Sequence, residues 1–374
     1  MKFLFTCGGT AGHINPALGV AGRLKQLMPE AEVLFIGAEG RMETELVPRE
    51  GFPIRTIEID NLSRSLSLAG LKHNLRTAKS LLRASGEVKS ILNEFRPDVA
   101  VGTGGYVCYP VLRQAHGMGI PTLVHESNAV PGLTTKLLSR VVDCVMLGFA
   151  GAAKNYPAGV HTEFTGIPVR GEFLKLDRTK ARNRLGIPPD RKLLVSVWGS
   201  LGSGHINGLM PEFLKLVCER KTFSIVHSAG KRYYDDVAAK TAALCGENPE
   251  TKGVDLRPYI YDMPAVMAAA DLVMCRSGAS TLGELAALGK PALLVPSPNV
   301  TNNHQEKNAR MLEKEGAAKV LLEGGFDAAG LYGAAEKLLD DAAALTRMAE
   351  AMRAAAVPDA TEKIVDLILG YVTH

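Results

Sequence analysis

The chain reads as an α/β protein built from two doubly wound, parallel-sheet domains. Three observations predict this. Its 374 residues exceed one ordinary domain. Short apolar runs alternate with longer helix-like segments in the rhythm of βαβ units. That rhythm stops near residues 166–191 and then starts again in the same form. Hydrophobic residues make up 46% and charged residues 22%, a composition that can fill a core in each half.

Lys2 to Thr6 is the first strand, followed by a helix over Pro16 to Met28, a strand over Glu32 to Ile36 and a helix-like stretch from Met42. Val99 to Gly102, Thr122 to His125 and Cys144 to Leu147 are further strands. Each ends beside glycine or polar residues, and ligands bind at such carboxyl ends in open parallel sheets. Pro168, Gly186, Pro188 and Pro189 then interrupt any long element. Leu193 to Trp198 restarts the pattern, followed by the glycine loop Gly199 to Gly204 and a helix over Gly208 to Cys218. Phe223 to His227, Leu272 to Cys275 and Ala292 to Val295 continue as strands, with helices at Ala265 to Ala269 and Leu282 to Leu288. Ala334 to Ala356 is helical, and Pro358 separates it from a last amphipathic helix, Thr361 to Tyr371. The expected division is a first domain over 1–165, a second over 166–358, and residues 359–374 packing back on the first.

Composition also excludes classes. A net charge of +4 over this length does not argue for nucleic acid. Cys7, Cys108, Cys144, Cys218, Cys245 and Cys275 form no C-x-x-C pair, so neither a zinc site nor a disulfide framework is indicated, and a reducing cytoplasm fits. The apolar start runs into glycines too soon for a signal peptide. No stretch approaches the roughly 20 apolar residues of a membrane-spanning helix, so any membrane contact is expected to be peripheral. Asp-x-Asp is absent and no His or Cys pair has metal-ligand spacing, so no protein-held metal or cofactor is expected. Gly-x-Ser-x-Gly elbows are also missing, which disfavours a hydrolase.

Several clusters carry candidate chemistry. Gly8-Gly9-Thr10-Ala11-Gly12-His13 lies between a strand and a helix whose first turn suits Pro16. Glycine there lets backbone approach a ligand, and a helix N-terminus offers N–H groups and a positive dipole end. The spacing is not G-x-G-x-x-G, and Leu34-Phe35-Ile36 leads into Gly37-Ala38 with no acidic residue, which disfavours NAD. His13 at the loop's mouth can take a proton from an attacking hydroxyl, or can cap the helix. Gly102 to Tyr106 and His125 to Asn128 sit at further strand ends, either facing the same cleft or serving as turns. In the second half Gly199 to Gly204 can receive a diphosphate, and Arg276 to Thr281 leads into a helix carrying Glu284. Glu284 can accept two ribose hydroxyls, or can merely favour the helix dipole. Gln305 and Asn308, three apart, can bond hydroxyls together, with a solvated polar face as the alternative. Arg170 is a cation available to a leaving diphosphate.

These stretches resemble the MurG family, the UDP-N-acetylglucosamine transferases that complete the lipid-linked disaccharide-pentapeptide precursor of bacterial peptidoglycan. The resemblance rests on Gly8 to Pro16, Gly102 to Tyr106, His125 to Asn128, Gly166 to Arg170, Arg276 to Glu284 with Gly289-Lys290-Pro291, and His304 to Asn308 with Glu315-Gly316-Ala317-Ala318. It implies a GT-B fold, two Rossmann-like domains with a deep interdomain cleft, the lipid acceptor on the first and the nucleotide sugar on the second. It implies inversion at the anomeric carbon, with the 4-hydroxyl of the muramoyl sugar of lipid I attacking C1 to form lipid II and His13 as base. Thr10, Gly12, Asn128, Arg170, Ser200, Ser280 and Thr281 would contact the donor UDP-N-acetylglucosamine. Ile260 and Met263 would border the uracil, Glu284 would hold the ribose and Gln305 would read the sugar. Gly104, Gly105, Tyr106, His125 and Glu126 would meet the acceptor.

The chain departs from the family pattern in its donor loop. Family members often carry Gly-Gly-Ser-Gln-Gly where this chain has Trp198-Gly199-Ser200-Leu201-Gly202, so a glutamine amide is missing, and His304 replaces a glutamine of some members. From Leu68 to Phe95, Leu71, Leu75, Leu81 and Leu82 alternate with Lys72, His73, Arg76, Lys79 and Arg83. Such a basic amphipathic helix suits an anionic bilayer, and also suits a core helix with a solvated face. The lipid acceptor favours a peripheral place at the cytoplasmic face of the cell membrane. Rival readings are a diacylglycerol glycosyltransferase, a UDP-sugar 2-epimerase and a non-catalytic scaffold.

Overall fold

A computed structural model of the chain describes residues 1–59, 83–199, 202–246 and 248–372. Two compact units emerge, residues 1–170 with 359–374, and residues 171–358.

The first unit is a seven-stranded parallel sheet in the order β3-β2-β1-β4-β5-β6-β7. Its strands are β1 (Lys2–Thr6), β2 (Glu32–Ala38), β3 (Ile54–Ile57), β4 (Val99–Gly102), β5 (Thr122–Glu126), β6 (Cys144–Leu147) and β7 (Thr162–Phe164). Strand β1 shows why the sheet is buried on both faces: Phe3 and Phe5 enter one core and Leu4 the other. On the Phe3 side pack α1 (Ala11–Leu27), Val47 of α2 (Glu43–Arg49) and the final helix α15 (Ala360–Val372). Ile364, Val365 and Ile368 of that final helix join Ile14 and Leu24, and Arg23 donates to Glu362 at 2.7 Å. On the Leu4 side lie the helix over residues 83–95, here α3, and α4 (Cys108–Gly117). Leu138 of α5 (Leu133–Leu138) joins the same core, with α5 beside β5. Of the basic amphipathic stretch read over Leu68 to Phe95, the part before residue 83 lies outside the described residues.

The second unit repeats the plan with six parallel strands in the order β10-β9-β8-β11-β12-β13. These are β8 (Leu193–Val197), β9 (Ser224–Ser228), β10 (Val254–Arg257), β11 (Leu272–Cys275), β12 (Ala292–Leu294) and β13 (Ala318–Val320). Its helices include α6 (Gly171–Leu174), α7 (Arg178–Leu185), α8 (Gly204–Arg220), α9 (Tyr234–Cys245), α10 (Met263–Ala269), α11 (Ala279–Leu288), α12 (His304–Lys314), α13 (Ala328–Asp340) and α14 (Ala342–Ala354).

The structure differs from the sequence reading in definite places. Helix α1 starts at Ala11, so Pro16 sits in its second turn at the cost of one helical N–H, and not at its first position. The alanine-rich stretch is two helices, because Asp341 leaves the helical conformation and its carboxylate caps the second by accepting Ala344 N–H at 2.8 Å. The expected break holds α7, capped by Asp177 and ended by Gly186 at φ +66°. Strands β3, β7, β10 and β13 are short edge strands whose interspersed polar residues hide the apolar run that marks the central ones.

Candidate functional site

In both sheets the strand order reverses beside the first strand, between β1 and β4 and between β8 and β11. Loops leaving two such strands run apart and open a crevice at the carboxyl edge. The glycine loops read from sequence leave these four strands.

In the first unit the loops after β1 and β4 interlock. Gly8 N–H donates to Gly104 O at 3.2 Å. Gly105 lies at φ +92°, and a methyl there would fall 2.3 Å from Gly8 O, so only glycine lets the loops close. His13, half-buried in the first turn of α1, has Nδ1 3.0 Å from Gly8 O. A carbonyl can only accept, so the neutral ring carries its proton on Nδ1 and keeps a lone pair on Nε2. Thr103 Oγ1 donates to His13 O at 2.6 Å, and the imidazole lies against the Cα of Gly104. Thr10 is the exposed N-cap of α1, with Oγ1 3.5 Å from His13 Nδ1. Gly12 follows in the same turn, and Tyr106 is half-buried at the start of the run into α4.

His125 and Glu126 hold the edge of β5 together. His125 is buried; its Nε2 donates to Gly166 O at 2.9 Å and its Nδ1 accepts from Ser127 Oγ at 3.1 Å. Burial pulls its pKa below the ordinary histidine value. Glu126, also buried, accepts the Asn128 N–H at 3.0 Å, the Asn128 side-chain amide at 2.9 Å and the Gly132 N–H at 3.0 Å. Both therefore shape the loop that presents Asn128. Arg170 is half-buried at the end of this unit's main segment.

In the second unit Ser200 lies outside the described residues, but the frame of its loop is visible. Trp198 Nε1 donates to Ser196 Oγ (2.8 Å), Ser196 to His227 Nδ1 (2.9 Å), His227 Nε2 to Asn207 Oδ1 (3.1 Å), and Asn207 Nδ2 to Ala229 O (2.7 Å). This buried chain ties β8, β9 and α8, and burial pushes the His227 pKa down to about 3, keeping the ring neutral. Gly202, at φ +73°, passes so close to Ala229 O that a methyl would sit 2.2 Å away. Arg276 reaches the same frame, donating to Ser203 Oγ at 2.8 Å and to Val295 O at 3.0 Å, pairing with Glu323 and lying over the Trp198 ring.

Ser280, Thr281 and Glu284 occupy the first turns of α11, whose N-cap is Gly278 with no side-chain cap. Ser277 Oγ donates to Gln305 O at 2.8 Å, and Gln305 Oε1 accepts the Ser297 N–H at 2.9 Å, joining α12 to the α11 loop. Asn308 is fully buried and donates to Ser277 O at 3.3 Å, so the expectation that it bonds hydroxyls beside Gln305 is corrected. Ile260 is buried and Met263 half-buried where α10 begins, and Arg257 pins that loop through Asp255 and Asp262.

Sequence reasoning missed Glu43, Asn207 and His227. Glu43 is 0% exposed and accepts the N–H of Gly9 at 3.1 Å and of Ala38 at 3.0 Å. It lies outside every glycine motif, so only tertiary contact reveals it. Among the described residues no group of three or more His, Cys, Asp or Glu is placed to hold a metal ion.

Two parallel Rossmann-like sheets with glycine loops at each switch point make a GT-B fold. Residues 3–147 match the glycosyltransferase family 28 N-terminal domain and residues 193–364 the family 28 C-terminal domain. The chain belongs to glycosyltransferase family 28. It is 43% identical over 368 residues to the UDP-N-acetylglucosamine--N-acetylmuramyl-(pentapeptide) pyrophosphoryl-undecaprenol N-acetylglucosamine transferase of Acetivibrio thermocellus, covering 98% of this chain and 97% of that one. It also resembles the crystal structure of Acinetobacter baumannii MurG, with TM-score 0.76, 29% identity and 99% of each chain covered. The UDP-GlcNAc 2-epimerase of Neisseria meningitidis, at TM-score 0.68 and 16% identity over 99% of this chain and 100% of that one, shares the fold.

Proposed function

We propose that the chain transfers N-acetylglucosamine from UDP-N-acetylglucosamine to the muramoyl-pentapeptide of lipid I, which is carried on pyrophosphoryl-undecaprenol, forming lipid II for peptidoglycan. Identity with the Acetivibrio transferase along nearly the whole chain supports the substrates. The observation that carries the chemistry is that His13 Nδ1 lies 3.0 Å from Gly8 O, which in this reading leaves Nε2 to take the proton.

In this reading the muramoyl 4-hydroxyl oxygen bonds to C1 of the sugar while its proton passes to His13 Nε2. The C1–oxygen bond to the β-phosphate breaks with its electron pair, UDP departs, and C1 is inverted. The new charge meets the N–H groups of the α11 start near Ser280 and Thr281, the Ser200 loop and Arg170. Glu284 takes the ribose, Ile260 and Met263 the uracil, and Gln305 the sugar. Thr10, Gly12 and Asn128 complete donor contacts, and Gly104, Gly105 and Tyr106 face the acceptor, with His125 and Glu126 holding that edge. No protein-held metal is invoked.

We place the enzyme peripherally on the cytoplasmic face of the membrane. Among the described residues no helix is long and apolar enough to cross a bilayer. On α5, Leu133 and Leu137 are 48% and 46% exposed, and Lys136 and the following Arg140 are exposed at matching helical spacing. Apolar and basic groups on one face suit an anionic lipid surface.

The test is transfer of radiolabel from UDP-N-acetylglucosamine to lipid I with EDTA present, beside a His13→Ala variant and a diacylglycerol control. The expected result is label on lipid I alone, reduced about 10²–10⁴-fold in the variant. Label on diacylglycerol, or an epimerised UDP-sugar, overturns the reading.

A further inference from the structure

Glu43 has no part in the mechanism above, yet it is a wholly buried carboxylate at the first residue of α2. Burying a carboxylate is costly unless its oxygens are satisfied. Here Oε1 accepts Ala38 N–H at the end of β2, and Oε2 accepts Gly9 N–H at the exit of β1. The side chain also fits the backbone on both sides. A methyl on Gly8 would fall 2.7 Å from Oε1, and one on Gly37 2.6 Å from Cγ.

The N–H of Gly9 and the carbonyl of Gly8 belong to one peptide unit. The unit is planar and, like every peptide bond described, not cis, so its N–H and C=O point in opposite directions. Anchoring that N–H on Glu43 therefore aims the Gly8 carbonyl away from Glu43, and at 3.0 Å along that path lies His13 Nδ1. A carboxylate accepting the N–H also polarises the amide, making its oxygen a better acceptor for the imidazole proton.

We propose that Glu43 is a positioning residue for His13, acting through the Gly8–Gly9 peptide to hold the imidazole in the tautomer that leaves Nε2 free for the acceptor proton. This rests on the reading of His13 as the base. The arrangement does through one intervening peptide what an orienting carboxylate does by direct contact with a catalytic histidine.

The experiment combines ¹⁵N-imidazole NMR with kinetics on the full-length wild type, Glu43→Gln and His13→Ala, the last assigning the His13 signals. Glu43→Gln keeps the shape and loses the charge, and its amide nitrogen cannot accept an N–H. The expected wild-type signature is Nδ1–H with an unprotonated Nε2. In Glu43→Gln it becomes a mixture of tautomers, and kcat falls by at least about tenfold, short of the roughly 10⁴-fold loss of a directly bonded orienting carboxylate. KM for UDP-N-acetylglucosamine stays within about twofold, which a general loosening of the fold would not give. A wild-type His13 protonated on Nε2 overturns the proposal even if the variant does not fold. So does a Glu43→Gln protein with the wild-type tautomer and kcat. If the tautomer responds as expected but His13→Ala keeps full turnover, the base reading fails and the positioning by Glu43 stands.

Discussion

Adding a single methyl at Gly104 tests the site at its tightest point. Gly104 lies at φ +115°, and a Cβ built there falls 2.5 Å from His13 Cδ2 and 3.0 Å from Nε2. Carbon atoms in contact prefer about 3.5–4.0 Å, so ring or loop must move by about 1 Å. Holding a non-glycine residue in that backbone region costs about 1–3 kcal/mol, and a misplacement of about 1 Å near the reacting atoms costs on the order of 10²-fold in rate. Gly104→Ala should therefore lower kcat on lipid I about 100-fold and lower the Tm of the first unit by roughly 2–12 °C. The affinity for UDP, whose uracil and ribose are assigned to the second unit, should change by less than about threefold by calorimetry. A variant with kcat within threefold of wild type would refute the reasoning, because the methyl cannot be accommodated without moving the imidazole or its loop.

Two further predictions concern the second unit. His227 is held neutral, its pKa lowered to about 3 from 6.5, so the unfolded chain binds a proton that the folded one refuses between these values. Its contribution to stability is fully present above about pH 6.5 and is lost as pH falls toward 3. Urea midpoints between pH 7.5 and 4 should thus fall less steeply in His227→Gln, and equal slopes would exclude the idea. Asp271 accepts Leu193 N–H at 2.8 Å and pairs with Arg178 at 2.8 Å and with the buried Arg182 at 3.1 Å. Asp271→Ala strands the Arg182 charge and should cost about 3–5 kcal/mol, lowering the second unit's Tm by roughly 6–20 °C in calorimetry. A drop under 2 °C would show that the carbonyls of Ala269 and Pro188 satisfy Arg182 without it.

Much of the fold was legible because its central strands are buried on both faces. Val99 to Gly102, Cys144 to Leu147 and Leu272 to Cys275 are apolar runs closed by glycine or polar residues, and they form the strands read from them. The short outer strands were not legible, since consecutive exposed positions, Arg55-Thr56 and Glu163-Phe164, leave no buried apolar run in Ile54–Ile57 and Thr162–Phe164. Helix starts were misjudged for a local reason. A glycine-rich N-terminus looks like loop in sequence, yet α8 begins at Gly204 and α11 at Ala279, inside the very motifs read as loops.

The sequence by itself determined the parallel α/β class, the two sheets and the glycine loops, because periodicity and turn residues act over a few positions. It also singled out His13, Glu284 and Gln305 through a motif resemblance. Only tertiary structure decided which polar residues face inward. Asn308 turns to Ser277, and His125 and Glu126 brace their own loop. Glu43 reaches across 34 residues to the Gly8–Gly9 peptide, and His227 across 20 to Asn207. A hydrogen bond between distant strands leaves no local pattern in a chain, so such partners become visible only when the sheet has brought their strands side by side.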